Sequence, residues 1–304
     1  MTSAEHARET LRQSIGKLEA QIAVTLKDTG EDPVHDLRVS IRRVSQALRT
    51  FAALLPGKSA KNMRKALKPA LDAAAIARDH DVCEALLVKC GLPDGHPLLA
   101  TMKSERDSAA LALLGQIYLL LSTGAPAAWH QRIDVISGPE DDAALQAREA
   151  LPLLASEFFE SGRKVALQAG SAKKLHAFRL SAKRFRYTLE LFQRFYGPVF
   201  VQRLERVREI QSMLGKRQDC AVAAERLRPL SAADPLVLPA LAEVEARAQK
   251  LETEFREYWR TTFDAQGQRL LWLRYFARRP AAPHPVEPKP SNAPKKRPSR
   301  QPAR

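Results

Sequence analysis

Val34-His35-Asp36-Leu37-Arg38-Val39-Ser40-Ile41-Arg42-Arg43-Val44-Ser45 and Leu175-His176-Ala177-Phe178-Arg179-Leu180-Ser181-Ala182-Lys183-Arg184-Phe185-Arg186 are two readings of one pattern, 141 positions apart. Extended to Phe51 and Phe192, the apolar positions 34, 37, 41, 44, 48 and 51 fall on 175, 178, 182, 185, 189 and 192. Steps of three and four alternate, which is the spacing of one buried helical face. The chain is therefore predicted to carry the same amphipathic helix twice.

A second stripe rides one residue behind the first. His35, Arg38, Arg42 and Arg49 occupy it in one copy, and His176, Arg179, Lys183 and Arg186 in the other. One residue turns a helix by roughly 100°, so this stripe borders the apolar face and predicts cations at the mouth of a groove between helices. Each row runs for roughly 10 Å or more at helical rise. A row of that length suits a long polyanion better than a small anion.

Outward from these helices the pattern repeats. Residues 3–28 carry Leu11, Ile15, Leu18, Ile22 and Leu26 at helical spacing, and helices are expected from about 58 to 90 and 97 to 121. A connector at 122–142 holds two glycines and two prolines, after which helices are expected at 143–168, 172–195, 199–228 and 235–276. Four helices, a connector and four helices again predict an internally duplicated all-α fold: repeat one over about 3–121, repeat two over about 143–276. No stretch alternates in the manner of a strand.

Composition narrows the partners. Lys and Arg outnumber Asp and Glu by 49 to 34, a formal +15, which favours an anionic partner. Residues 277–304 hold eight Lys or Arg against Glu287 alone, so +7 belongs to this Pro-rich tail and +8 to the rest. With no apolar periodicity the tail is expected to be a disordered basic arm, either simply solvated or an auxiliary electrostatic contact. Cys83, Cys90 and Cys220 lack metal-ligand spacing and read as buried or incidental thiols of a reducing compartment. No secretory leader is visible, and the longest apolar run, 111–121, is too short to span a bilayer. The expectation is a soluble cytoplasmic protein without a membrane partner.

The doubled His-x-x-Arg-x-x-x-Arg/Lys-Arg pattern resembles the CHAD family, named for its histidine-containing α-helical domain. Ala77-Arg78-Asp79-His80-Asp81-Val82 is similar to that family's Arg-Asp-x-Asp-Val segment, and Ile210-Gln211-Ser212-Met213-Leu214-Gly215-Lys216-Arg217-Gln218-Asp219 to its second-repeat counterpart. The resemblance implies two pseudo-symmetric helical bundles that bind inorganic polyphosphate, often at polyphosphate granules. Residue by residue it assigns His35, Arg38, Arg42 and Arg43 in the first copy, and His176, Arg179, Lys183, Arg184 and Arg186 in the second. The chain departs from the pattern at Ser45, where an arginine like Arg186 is usual, and Arg49 is matched by Glu190.

The chemistry of the residues agrees with that ligand. Guanidinium forks and ammonium groups suit phosphate oxygens, and a repeating anion needs cations at a repeating pitch. Lys58, Lys61, Lys65 and Lys68 recur on the third helix and extend the candidate surface, as does Arg208, which matches Lys68 at an offset of 140; a solvated helix face explains the lysines equally well. Arg78 either pairs with an acid or faces the ligand. For both histidines, neighbouring positive charge should keep the imidazole neutral until a polyanion arrives, predicting tighter binding at mildly acidic pH.

Rival readings fare worse. Asp79-His80-Asp81 could hold a divalent ion but suits interhelix contacts better, and the site requires no cofactor. Gly57-Lys58-Ser59 matches the last part of a phosphate-binding loop, yet Ala52 stands where that loop needs its first glycine. Glu243-Val244-Glu245-Ala246-Arg247 superficially resembles the signature of triphosphate tunnel enzymes but lies in a helical pattern and ends in Arg. No carboxylate pair is placed to activate water, so a non-catalytic binder is expected. Nucleic acid is the competing ligand, favoured by the charge and the tail. Against it, the basic stripes lack interleaved aromatics on which bases could stack.

Overall fold

The computed structural model describes residues 1–138, 141–167 and 171–278, and every regular element among them is helical. The first half contains α1 (Ser3–Thr25), α2 (Glu31–Thr50), α3 (Ser59–Lys89) and α4 (Pro97–Ser122). A short α5 (Ala127–Asp134) leads into α6 (Ala143–Ala166), α7 (Ala172–Phe192), α8 (Pro198–Leu227), α9 (Val237–Tyr258) and α10 (Gln268–Phe276). The basic tail lies outside the described residues from position 279 on.

Local chemistry starts these helices where the sequence says. Thr2 and Glu5 form a capping box at the start of α1, each satisfying a backbone amide of the other. Glu31 and Asp32 put negative charge in the first turn of α2, where the helix dipole is positive. Asp142 caps α6 through the amide of Ala144 at 3.0 Å, and Pro97 and Pro198 sit in first turns that do not need their missing amide hydrogens.

The doubled stripe is buried throughout. Val34, Leu37, Ile41, Val44, Leu48 and Phe51 are in the core, and so are Leu175, Phe178, Ala182, Phe185, Leu189 and Phe192. α2 packs on α1 and α3, α7 packs on α6 and α8, and α2 meets α7 directly. The two halves therefore share one hydrophobic core that runs from Ala4 to Phe276. A smaller cluster joins the end of α3 and start of α4 to α8 and α9, and holds the three unpaired, buried cysteines.

Two departures from the expected plan are informative. The connector contains α5, anchored by buried Trp129 and Ile133, and the expected final helix breaks at a π-turn over Trp259–Phe263 before α10. α10 folds back on α6 and closes an aromatic core in which Phe158 stacks on Phe178 and Phe185 while Trp259 and Trp272 pack on Phe263. The second stripe carries Phe178 and Phe185 where the first has Leu37 and Val44, and both rings join this aromatic core.

The ends of α2 and α7 are joined at one point. The buried ring of His6 lies 5.4 Å from Phe51, 5.7 Å from Phe192 and 4.8 Å from Phe195. Burial, then the nearby Arg194 charge, lowers its pKa to about 4, so the ring is a neutral aromatic spacer at neutral pH. One turn earlier, Gln46 donates from Nε2 to the Thr188 hydroxyl at 3.0 Å, a buried polar tie between the two helices.

Candidate functional site: basic side chains converging between the duplicated helices

Because α2 and α7 touch, their cationic stripes converge. Arg38 and Arg42 from one, and Arg179 and Lys183 from the other, lie close enough to perturb one another's charge. Lys183 is only 9% exposed, and burial, followed by the charges of Arg42, Arg179 and Arg38, lowers its pKa to about 6. Burial and Arg42 likewise bring Arg38 down to about 10, which leaves it charged at neutral pH.

Two acids face these four basic side chains, Asp79 from α3 and Asp219 from α8. Arg38 Nη2 stands 3.8 Å from Asp79 Oδ1, too long for a tight pair, and burial raises the pKa of Asp219 against the opposing pull of Arg179. The Nε atoms of Arg38 and Arg179 are buried without a hydrogen-bond partner.

The histidines flank this cluster. Partial burial, then Arg78, lowers the pKa of His35, against Asp36 and Asp32. His176 Nδ1 is 3.0 Å from Gln218 Oε1, a contact that fits an Nδ1–H donor. His176 and Arg179 also line a small recess with Arg217 and Gln218. Arg78 and Gln218 stand at an offset of 140, so each histidine faces the same position of the partner helix in its own half.

Further along the stripes the two halves differ. Arg43, Arg186 and Arg208 converge on Glu190, at 3.5, 3.7 and 3.2 Å, and Arg186 also lies over the ring of Tyr187. Arg49 instead approaches Arg184 and Arg64, and burial followed by those two charges lowers its pKa. Arg64, Asp79, Asp219 and Gln218 were not assigned to the site from sequence. For the acids and Gln218, the repetition of Arg78-Asp79 as Gln218-Asp219 was the available signal; Arg64 had only its place one residue from Lys65.

Other assigned residues already have acidic partners or lie on open helix faces. Arg78 Nη1 pairs with Glu31 at 2.5 Å and Arg208 with Glu205 at 2.7 Å, so neither guanidinium is free for a ligand without giving up an acid. Lys65 and Lys68 are exposed on α3, and Lys68 pairs with Asp72 one turn on, as a solvated helix face would. The Asp79-His80-Asp81 segment makes interhelix contacts: His80 Nδ1 lies 3.5 Å from Glu105, and Asp81 accepts from Arg106 at 3.0 Å. Among the described residues, no three His, Cys, Asp or Glu side chains group as a metal site.

A cavity of about 500 Å³ lies between α8 and α9, lined in part by Arg217, Cys220, Glu245 and Glu252. Its charges are matched internally, Arg217 and Arg256 with Glu252 and Arg228 with Glu245. Among the described residues no single helix is long and apolar enough to cross a membrane.

Known proteins place this architecture. A crystal structure of the CHAD domain from the plant Ricinus communis superimposes with a TM-score of 0.63 at 23% identity, covering 92% of this chain and 94% of that one. PptA from Streptomyces chartreusis gives a TM-score of 0.53 at 19% identity, over 85% of this chain and 97% of its own. At these identities the likeness is one of fold. No curated protein matches the sequence. The family model described as the CHAD domain matches residues 9–228, from α1 through α8 with both cationic stripes, and the chain belongs to that family.

Proposed function

We propose that this protein binds inorganic polyphosphate without catalysis, through the basic side chains that converge between α2 and α7. The observation that carries the reading is the convergence of Arg38, Arg42, Arg179 and Lys183 on one place, with Asp79 and Asp219 as the opposing charges named among the described residues. Membership of the CHAD family supports the same ligand. Binding is electrostatic and multivalent: consecutive phosphates replace the missing counter-charge and release condensed ions, so affinity falls steeply with salt. His35, His176 and the flanking arginines extend the contact beyond the centre. Residence at polyphosphate granules in the cytoplasm follows as part of this proposal.

Nucleic acid is the alternative polyanion. Phe178, Phe185 and Phe192 are buried in the core, which leaves them unable to stack on bases. Reversing Arg38 and Arg179 together to Glu should abolish retention on immobilised polyphosphate while circular dichroism stays helical. Competition with DNA at equal phosphate should favour polyphosphate. Retention of the double variant, preferential capture of DNA, or release of inorganic phosphate on incubation would each count against this function.

A further inference from the structure

The duplication allows one half of the groove to serve as a control for the other. At the offset of 141, Arg43 corresponds to Arg184 and Glu190 to Arg49. The contact of Arg43 with Glu190 and the approach of Arg184 to Arg49 are therefore one position seen in both halves. In one it is an ion pair at 3.5 Å; in the other the two are like charges, near enough for Arg184 to act on Arg49.

The surroundings sharpen the contrast. Glu190 has a side chain only 14% exposed and gathers three guanidiniums from three helices, Arg43, Arg186 and Arg208. Arg49, Arg64 and Arg184 make no ion pair among the described residues. Both positions continue the stripes of the central cations, seven residues beyond Arg42 and Lys183, or about 10 Å along a helix.

We propose that the groove is one-sided: a polyphosphate held at the central cations continues over Arg49, Arg64 and Arg184, while Glu190 closes the opposite side. This rests on the polyphosphate reading above and adds where the chain runs. A phosphate nearing Arg49 relieves repulsion among three cations. One nearing Glu190 meets a fixed negative charge and must displace a carboxylate that already has three partners. Glu190 is thus a specificity-determining residue that holds Arg43, Arg186 and Arg208 in reserve.

The test compares symmetry mates in the full chain, using a long linear polyphosphate of narrow length distribution and circular dichroism as the check on folding. Arg184→Gln should weaken binding by about fivefold or more, and its mate Arg43→Gln by clearly less. Glu190→Gln should tighten binding, and in that background Arg43→Gln should cost as much as Arg184→Gln does in the natural chain. Equal losses from Arg43→Gln and Arg184→Gln in the natural chain, or no gain from Glu190→Gln, would overturn the one-sided groove and leave polyphosphate binding standing. Failure of the unaltered chain to bind would overturn both.

Discussion

In the proposed complex, Lys183 would turn ligand binding into a protonation event. With its empty-site pKa lowered to about 6, first by burial and then by Arg42, Arg179 and Arg38, the amine is largely neutral at pH 7.5. A bound polyanion favours the ammonium and raises that pKa, so a proton is taken up. Affinity should therefore rise as pH falls from 8 towards 6, by up to about tenfold per unit per proton, and level off below the empty-site value. His35, lowered by partial burial and Arg78, contributes in the same direction. Calorimetry in buffers of different ionisation enthalpy should detect the uptake, and Lys183→Met should flatten most of the profile; a pH-independent affinity in the unaltered chain would contradict it. The central cations were legible from sequence because they share a helical phase with the histidines. The engagement of Glu190 and the counter-charges Asp79 and Asp219 were not, because they depend on which helices pack together.

Among the elements, α6 and the π-turn fit each other with no spare room. A Cβ added to Gly162 would lie 1.9 Å from the six-membered ring of Trp259, which is itself buried. Overpacking of this kind costs about 1–3 kcal/mol or more, so Gly162→Ala should lower Tm by several degrees, and Trp259→Phe in the same chain should restore part of the loss. A melt unchanged by Gly162→Ala would mean that the ring moves freely. The periodicity that revealed the long helices also hid this turn: Leu251, Phe255, Trp259 and Phe263 stay four apart straight through it, and Gly267 comes only afterwards. α5 escaped for the opposite reason, with two buried residues in an eight-residue helix set among glycines and prolines.

At the scale of the molecule, the duplicated halves do not fold around separate interiors. Val34, Ile41, Phe178 and Phe185 belong to one cluster, crossed by the contact between α2 and α7. Sequence repetition shows that two similar units exist, but not whether they fuse, because the same apolar stripe can bury against its own half or the other. The fused core predicts one cooperative thermal transition for the described body, with probes in α3 and α9 melting together. Two resolved transitions would refute it. The ring of His6 has a final consequence. The cationic rows are jaws whose far ends are pinned by Phe51, Phe192 and Phe195 around one imidazole in the opening turn of the chain. Trim that turn away and every cation of the two rows would remain, on helices whose far ends had lost their shared spacer.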